Sequence, residues 1–138
     1  MPRSIFTLLM ASCLASTTAT AAQTNTQEAA TSKAETLIVV LKDFSFTPSM
    51  FELRTGQPYV LHLINRGSGG HNFSAKAFFE AVSINPVSQN IVRNGKIEVA
   101  KGAEIELAFI AMTPGTYKLK CSHFLHSGFG MKGRISIR

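Results

Sequence analysis

From Thr36 onward, the sequence consists of short apolar or alternating segments that are separated by residues typical of turns. Residues 37–41 form a β-branched run of strand length, and residues 105–109 alternate apolar and polar side chains as a half-buried strand does. Turn signals such as the Pro-Gly pair at 114–115 separate these segments. This pattern predicts an all-β fold, an antiparallel β-sandwich with Greek-key connections, in which only residues 75–82 form a short helix.

The first 35 residues lack this pattern. Arg3 gives a positively charged start, and the mostly apolar residues 5–15 suit a signal peptide but are too short to span a bilayer. Ala19 and Ala21 match the small-residue rule for cleavage, so residues 1–21 are predicted to be removed on export to the periplasm, with a cut one residue later nearly as suitable. Residues 22–35 are predicted to be a flexible linker and residues 36–138 the single folded domain. Residues 10–13 faintly resemble a lipoprotein cleavage box, which leaves a lipid anchor at Cys13 as an alternative.

The composition excludes several classes of function. Charged residues make up only 16% of the 138 residues, and the formal net charge is +6. Eight carboxylates leave little room for hydrolysis by paired acids. The basic residues stand singly rather than in runs, which argues against a nucleic-acid-binding arm and allows at most a mild preference for anionic partners.

Cleavage after residue 21 would leave Cys121 as the sole cysteine, so the exported chain could form no internal disulfide. A free thiol in an oxidising compartment is vulnerable unless something occupies it, and metal ligation protects a thiolate. The alternative is a buried, inert cysteine. The neighbours of Cys121 therefore decide between these interpretations.

Candidate ligands lie in two separated segments. His71 follows a Gly/Ser-rich stretch, whereas Cys121, His123, His126 and Met131 lie within a segment of eleven residues. One thiolate and two imidazoles suit copper or zinc, and a thioether adds a weak axial ligand that suits copper. From the residues alone, either His123 or His126 could supply the second imidazole.

The chain resembles the plastocyanin/azurin family of cupredoxins over nearly all of residues 36–138. The residues that carry the resemblance are Phe46, Pro48, Gly56, residues 60–65, His71 and Asn72 upstream, and residues 114–117, Cys121, His126, Met131 and Gly133 downstream. Four residues separate Cys121 from His126, as in azurins, whereas the spacing from His126 to Met131 is like that of plastocyanins. The predicted ligand loop is a hybrid of the two.

This resemblance implies a cupredoxin-like sandwich with one type 1 (blue) copper ion, held by His71, Cys121, His126 and Met131. Asn72 would tie the His71 segment to the Cys121 segment through hydrogen bonds. His123 is then a partly exposed loop residue or a hydrogen-bonding neighbour of the site. Of the remaining candidates, His62 is interpreted as a surface strand histidine and Tyr117 as a packing residue.

In this family the electron usually passes through the edge of the downstream histidine, here His126. Phe124, Leu125 and Phe129 would then form an apolar docking patch beside it. Lys76, Lys120 and Lys132 either rim this patch and steer an acidic partner or are ordinary solvated lysines.

We therefore expect an exported electron carrier that cycles between Cu(II) and Cu(I) and is not an enzyme. Its expected partners are redox proteins, which would be acidic if the three lysines steer them, and not nucleic acid. The mature chain is expected to be a monomer without a transmembrane segment. A periplasmic copper-handling protein without electron transfer is the alternative, and a copper enzyme would need more copper sites than this chain offers.

Overall fold

The computed structural model describes residues 33–138, so the predicted signal peptide, Cys13 and most of the predicted linker lie outside the described residues. The described part of the chain contains ten strands, one α-helix and one 3-10 helix. The strands are β1 Glu35–Lys42, β2 Ser45–Thr47, β3 Met50–Leu53, β4 Pro58–Asn65, β5 His71–Ser74, β6 Val82–Ile84, β7 Lys96–Val99, β8 Glu104–Ala111, β9 Gly115–Lys120 and β10 Lys132–Ile137. The α-helix α1 is Lys76–Glu80, within the predicted helical segment, and the 3-10 helix is Pro86–Ile91.

The strands form two five-stranded sheets, which confirms the predicted β-sandwich. The first sheet has the order β2-β1-β4-β8-β6 and the second the order β3-β10-β9-β5-β7. Two neighbouring pairs, β1 with β4 and β3 with β10, are parallel, whereas the prediction named only antiparallel strands. The parallel pairs arise because the chain crosses to the other sheet between the paired strands and returns in its original direction.

The core lies between the sheets and follows from the alternation in the sequence. In β4, every second side chain is buried from Tyr59 to Asn65. Tyr59 stacks on Phe109 of β8 at a ring-centroid distance of 5.6 Å. The five residues of α1 are too few for a stable isolated helix, so α1 depends on packing. Its Phe78 contacts Phe109 edge-on at 5.5 Å and thereby anchors the helix to the first sheet.

Strands β9 and β10 bring two distant parts of the ligand loop together. Their antiparallel register pairs Lys120 with Lys132, the residues that immediately flank the segment 121–131. The backbone N–H of Cys121 also donates to the carbonyl of Met131 at 3.1 Å. Strand β5, which begins with His71, lies next to β9 in the same sheet, so the two candidate segments meet at one end of the sandwich. No helix within residues 33–138 is long and apolar enough to cross a membrane.

Candidate metal centre

Three of the predicted ligands converge at this end of the sandwich. One donor atom from each of His71, Cys121 and His126 lies within 4.8 Å of the other two. The Nδ1 atom of His126 is 3.2 Å from Nδ1 of His71 and 3.4 Å from Sγ of Cys121. His71 and Cys121 are buried, whereas His126 is partly exposed. Residue types alone left His123 and His126 as alternatives and the resemblance favoured His126, which is the one that joins the cluster.

A buried asparagine shapes the loop that leads to His71. The side-chain amide of Asn65 donates to the carbonyls of Gly69 and Val99 at 2.9 Å and to that of Ala100 at 3.1 Å. Its Oδ1 accepts from the N–H of Gly67 at 2.8 Å. Because all these partners are backbone groups, Asn65 fixes the path of the loop irrespective of the side chains on it.

Asn72 makes the hydrogen bonds between the two ligand segments that the sequence led us to expect. Its side-chain amide donates to Oγ of Ser122 at 2.9 Å, and its Oδ1 accepts from the N–H of Ser122 at 2.8 Å. The backbone N–H of Asn72 points at Sγ of Cys121, 3.5 Å away. This contact and the two hydrogen bonds to Ser122 hold the segment that begins with His71 against the segment that begins with Cys121.

The loop between Cys121 and Met131 folds back over the cluster. Leu125 adopts a left-handed backbone conformation with φ 62° and so reverses the chain just before His126. The N–H of Met131 donates to the carbonyl of His126 at 3.0 Å, and the carbonyl of Met131 accepts from Cys121. Met131 is also completely buried. Its backbone is thus held by hydrogen bonds to two residues of the cluster.

His123, His62 and Tyr117 lie outside the cluster. Nε2 of His123 is 2.9 Å from Oε2 of Glu98, whose other oxygen accepts from the Asn72 amide at 3.0 Å. The ring of His123 also lies 5.4 Å from that of His126, and the carbonyl of His123 accepts from the N–H of His126 at 3.2 Å. His123 is therefore a neighbour of the cluster that supplies no donor atom to it. His62 pairs with Glu104 at 3.0 Å on an exposed strand face. The Tyr117 hydroxyl donates to the carbonyl of Thr113 at 2.8 Å, at the turn before β9.

Asp43 is a neighbour of the site that sequence analysis missed. Its Oδ1 lies 3.2 Å from Nε2 of His71, on the side of the ring away from the cluster. Hydrogen bonds from Ser68 are the main cause that lowers the pKa of Asp43 below its ordinary value, and His71 adds to the lowering. The carboxylate is therefore charged at neutral pH. No sequence motif connects residues 43 and 71, and only the fold brings them together.

An apolar surface surrounds the exposed edge of His126. The predicted residues Phe124, Leu125 and Phe129 are 86%, 53% and 64% exposed. Phe44, which sequence analysis also missed, packs edge-on against the His126 ring at 5.4 Å and against Phe129 at 5.2 Å. Desolvation lowers the pKa of His126, and the neighbouring His71 and His123 lower it further. His126 is therefore neutral at pH 7, as a metal-ligating imidazole must be.

The donor set fits copper. Two imidazole nitrogens and one cysteine sulfur in close proximity, with a buried methionine in the same loop, match the ligand types of a blue-copper electron-transfer site. Both imidazoles face the cluster through Nδ1, so their Nε2 atoms remain for other contacts. The same three donors also suit zinc, but a thioether is a poor zinc ligand.

Comparisons with known proteins identify the family and agree with the fold. The sequence profile of the Cupredoxin-like domain matches residues 6–137. No curated protein sequence matches the chain. Among solved structures, auracyanin from the photosynthetic bacterium Roseiflexus castenholzii is similar, with 18% identity, a TM-score of 0.56 and coverage of 76% of this chain and 98% of that one. Auracyanin B is similar with 21% identity and a TM-score of 0.57, over 76% of this chain and 89% of that one.

A larger protein also contains a similar domain. The McoA multicopper oxidase from Aquifex aeolicus has 13% identity and a TM-score of 0.59, over 77% of this chain but only 30% of the oxidase. At such identities these solved structures establish the fold, and the oxidase shows that this fold also occurs as one part of an enzyme.

Proposed function

The chain belongs to the cupredoxin-like domain family, and from this premise we propose that it is an exported type 1 (blue) copper protein that carries single electrons between redox partners. The observation that supports this most strongly is the convergence of two imidazole nitrogens and one thiol sulfur within 4.8 Å. We assign His71, Cys121 and His126 as the strong ligands and Met131 as the weak axial one. When bound, copper would supply a centre that accepts and releases one electron by alternating between Cu(II) and Cu(I).

The residues around the ligands limit how far the site can rearrange. Asn65 holds the loop before His71, and Asn72 holds the two ligand segments together. His71 and Cys121 lie in a packed region with exposures of 1% and 0%, which excludes water from this side of the cluster. Such a site suits electron transfer, because ligands that stay in place in both oxidation states keep the reorganisation small.

The exposed edge of His126 is the proposed exit for the electron. His126 is the partly exposed ligand of the cluster. Phe124, Leu125 and Phe129 form the apolar docking patch around it, and Phe44 extends this patch. A cluster of exposed apolar side chains of this kind is typical of a contact surface for a partner protein. With three strong ligands and a weak axial one, the site would offer no vacant position for a substrate.

Spectroscopy of the Cu(II)-loaded protein tests this function. We expect an intense blue thiolate-to-copper absorption band that a mild reductant bleaches and an oxidant restores. Cys121→Ser should abolish the band because it removes the sulfur. His123→Gln is the matched control and should keep the band, since the His123 ring neighbours His126 and Glu98 but supplies no donor atom to the cluster.

Two other outcomes would contradict the proposal. A colourless, readily exchanging copper site would indicate copper handling rather than electron transfer. Loss of the blue band in His123→Gln together with its retention in His126→Gln would mean that the second imidazole has been assigned wrongly.

For the export step, the amino terminus of the mature protein, determined by sequencing, should be Ala22.

A further inference from the structure

Asp43 lies in the turn between β1 and β2, at the rear of the proposed copper site. Its Oδ1 is 3.2 Å from Nε2 of His71, and the other ring nitrogen of His71 faces the cluster. His71 is 1% exposed, so this contact lies at a buried ring rather than between two solvated side chains. Among the described carboxylates, Asp43 is the one that pairs with a residue of the cluster.

The carboxylate of Asp43 is fixed in this position. The backbone N–H of Ser68 donates to its two oxygens at 2.9 and 3.2 Å. Gly67 packs directly on the contact, because a methyl group there would overlap Nε2 of His71 and lie 2.8 Å from Oδ1 of Asp43. Gly67 and Ser68 belong to the loop that Asn65 holds, so the contact between Asp43 and His71 is part of the same rigid arrangement.

The geometry defines what this contact does chemically. If Nδ1 of His71 binds a metal, it carries no proton, and Nε2 carries the proton that points at Asp43. A carboxylate that accepts this proton in a hydrogen bond fixes the tautomer and the ring orientation and makes the imidazole a stronger electron donor. Stronger donation and a nearby negative charge both stabilise Cu(II) more than Cu(I).

We propose that Asp43 is a positioning residue that holds His71 in its ligating tautomer and lowers the reduction potential of the copper site. This inference rests on the proposed function, since it concerns the same copper ion. Asp43 is the described carboxylate in direct contact with a cluster residue, whereas Glu98 contacts Asn72 and His123.

The test is the reduction potential of copper-loaded Asp43→Asn, measured by redox titration of the blue band. Asparagine keeps the size of the side chain and an oxygen acceptor but removes the charge. We expect Asp43→Asn to lose the preference for Cu(II) over Cu(I) roughly tenfold. For a one-electron couple, this loss raises the reduction potential by about 59 mV. Glu52→Gln is the control, because it removes the same charge from an exposed residue that pairs with Arg138 at the opposite end of β10.

An unchanged potential in Asp43→Asn, with the blue band intact, would overturn the inference. A rise of equal size in Glu52→Gln would also overturn it, because the effect would then be one of net charge. Asp43→Glu is a second variant, which keeps the negative charge. Its reduction potential should stay close to that of the wild type, and a rise as large as the roughly 59 mV expected for a neutral residue would contradict the inference.

Nuclear magnetic resonance of the copper-free protein separates this inference from the proposed function. The ¹⁵N shifts of the His71 ring should show a proton on Nε2 in the wild type. Asp43→Asn should show a mixture of tautomers, because an amide can donate to Nε2 as well as accept from it, whereas a carboxylate only accepts. A mixture in the wild type would contradict the positioning role. If the wild-type protein binds copper without a blue band, the proposed function fails while this result still stands.

Discussion

At the residue scale, the centre depends on polar side chains that each satisfy several partners. Asn65 and Asn72 are almost completely buried, and every buried side-chain nitrogen or oxygen of the described residues has a hydrogen-bond partner. Asn72 bonds to Ser122 through both its oxygen and its nitrogen and also reaches Glu98. Because a buried polar group left unpaired is costly, these amides fix the relative position of the ligand segments.

Met131 is assigned as a ligand because of its position in the loop and its burial. We expect Met131→Leu to change the blue and EPR spectra and to raise the reduction potential, since leucine cannot donate electrons to copper. Leucine is similar in volume, so the free energy of unfolding should fall by less than about 1.5 kcal/mol. Redox titration and urea unfolding measure the two quantities.

Met112→Leu is the control for this experiment, because Met112 is 53% exposed and lies outside the ligand loop. If Met131→Leu has the spectrum and potential of the wild type, Met131 is a packing residue rather than an axial ligand.

At the element scale, β10 approaches the chain before β3 so closely that one position tolerates no side chain. A Cβ at Gly133 would overlap the carbonyl oxygen of Ser49 and lie 3.0 Å from Cδ2 of Leu119. The same Ser49 carbonyl accepts a hydrogen bond from the N–H of Arg134 at 2.8 Å, so it is not free to move away. Gly133 therefore holds the strand that follows the ligand loop in register.

We expect Gly133→Ala to lower the free energy of unfolding by about 2 kcal/mol, because the methyl group forces the backbone of β10 away from Ser49. Urea unfolding of the copper-free protein measures the change. Gly69→Ala is the matched control, since a Cβ at Gly69 meets no atom within 4 Å. Equal effects of the two substitutions would contradict the packing argument.

Most of the elements could be predicted because strand and turn signals are local. The alternation in β4 and β8 and the Pro-Gly turn before β9 each depend on neighbouring residues, and the structure confirms the sandwich they predict. The parallel pairs β1–β4 and β3–β10 could not be predicted in this way. They depend on which sheet the chain enters after each turn, and that choice is made by the packing of both sheets.

At the scale of the whole molecule, positive charge is concentrated on one face beside the ligand loop. The register of β9 and β10 places Lys120 opposite Lys132 and Lys118 opposite Arg134, and all four are exposed. None of them forms an ion pair with a carboxylate of residues 33–138, whereas Lys76 pairs with Glu80 at 3.8 Å. A surface with unpaired positive charges of this kind attracts anions at low salt, which makes its effect on electron transfer testable.

We expect this face to accelerate electron transfer with anionic reagents. Oxidation of the reduced protein by hexacyanoferrate(III) should slow as ionic strength rises, because salt screens the attraction. The double variant Lys120→Gln/Lys132→Gln should react more slowly than the wild type at low salt and depend less on salt. Stopped-flow absorbance at the blue band measures the rate.

Lys33→Gln is the control for this experiment. The carbonyl of Lys33 accepts from Gln57, which precedes β4, whereas the opposite end of β4 leads to the loop before His71. A rate that does not change with salt would mean that these lysines are ordinary solvated residues.

The sequence by itself determined the family, the fold class and the ligand types, because strand periodicity and donor chemistry are properties of single residues and their neighbours. The resemblance already favoured His126 over His123, and tertiary structure alone decided that Phe44 packs on the His126 ring. It also decided the contact between Asp43 and His71, which are 28 residues apart. Such contacts depend on the final directions of side chains from separate strands, and no local pattern specifies where two distant side chains meet.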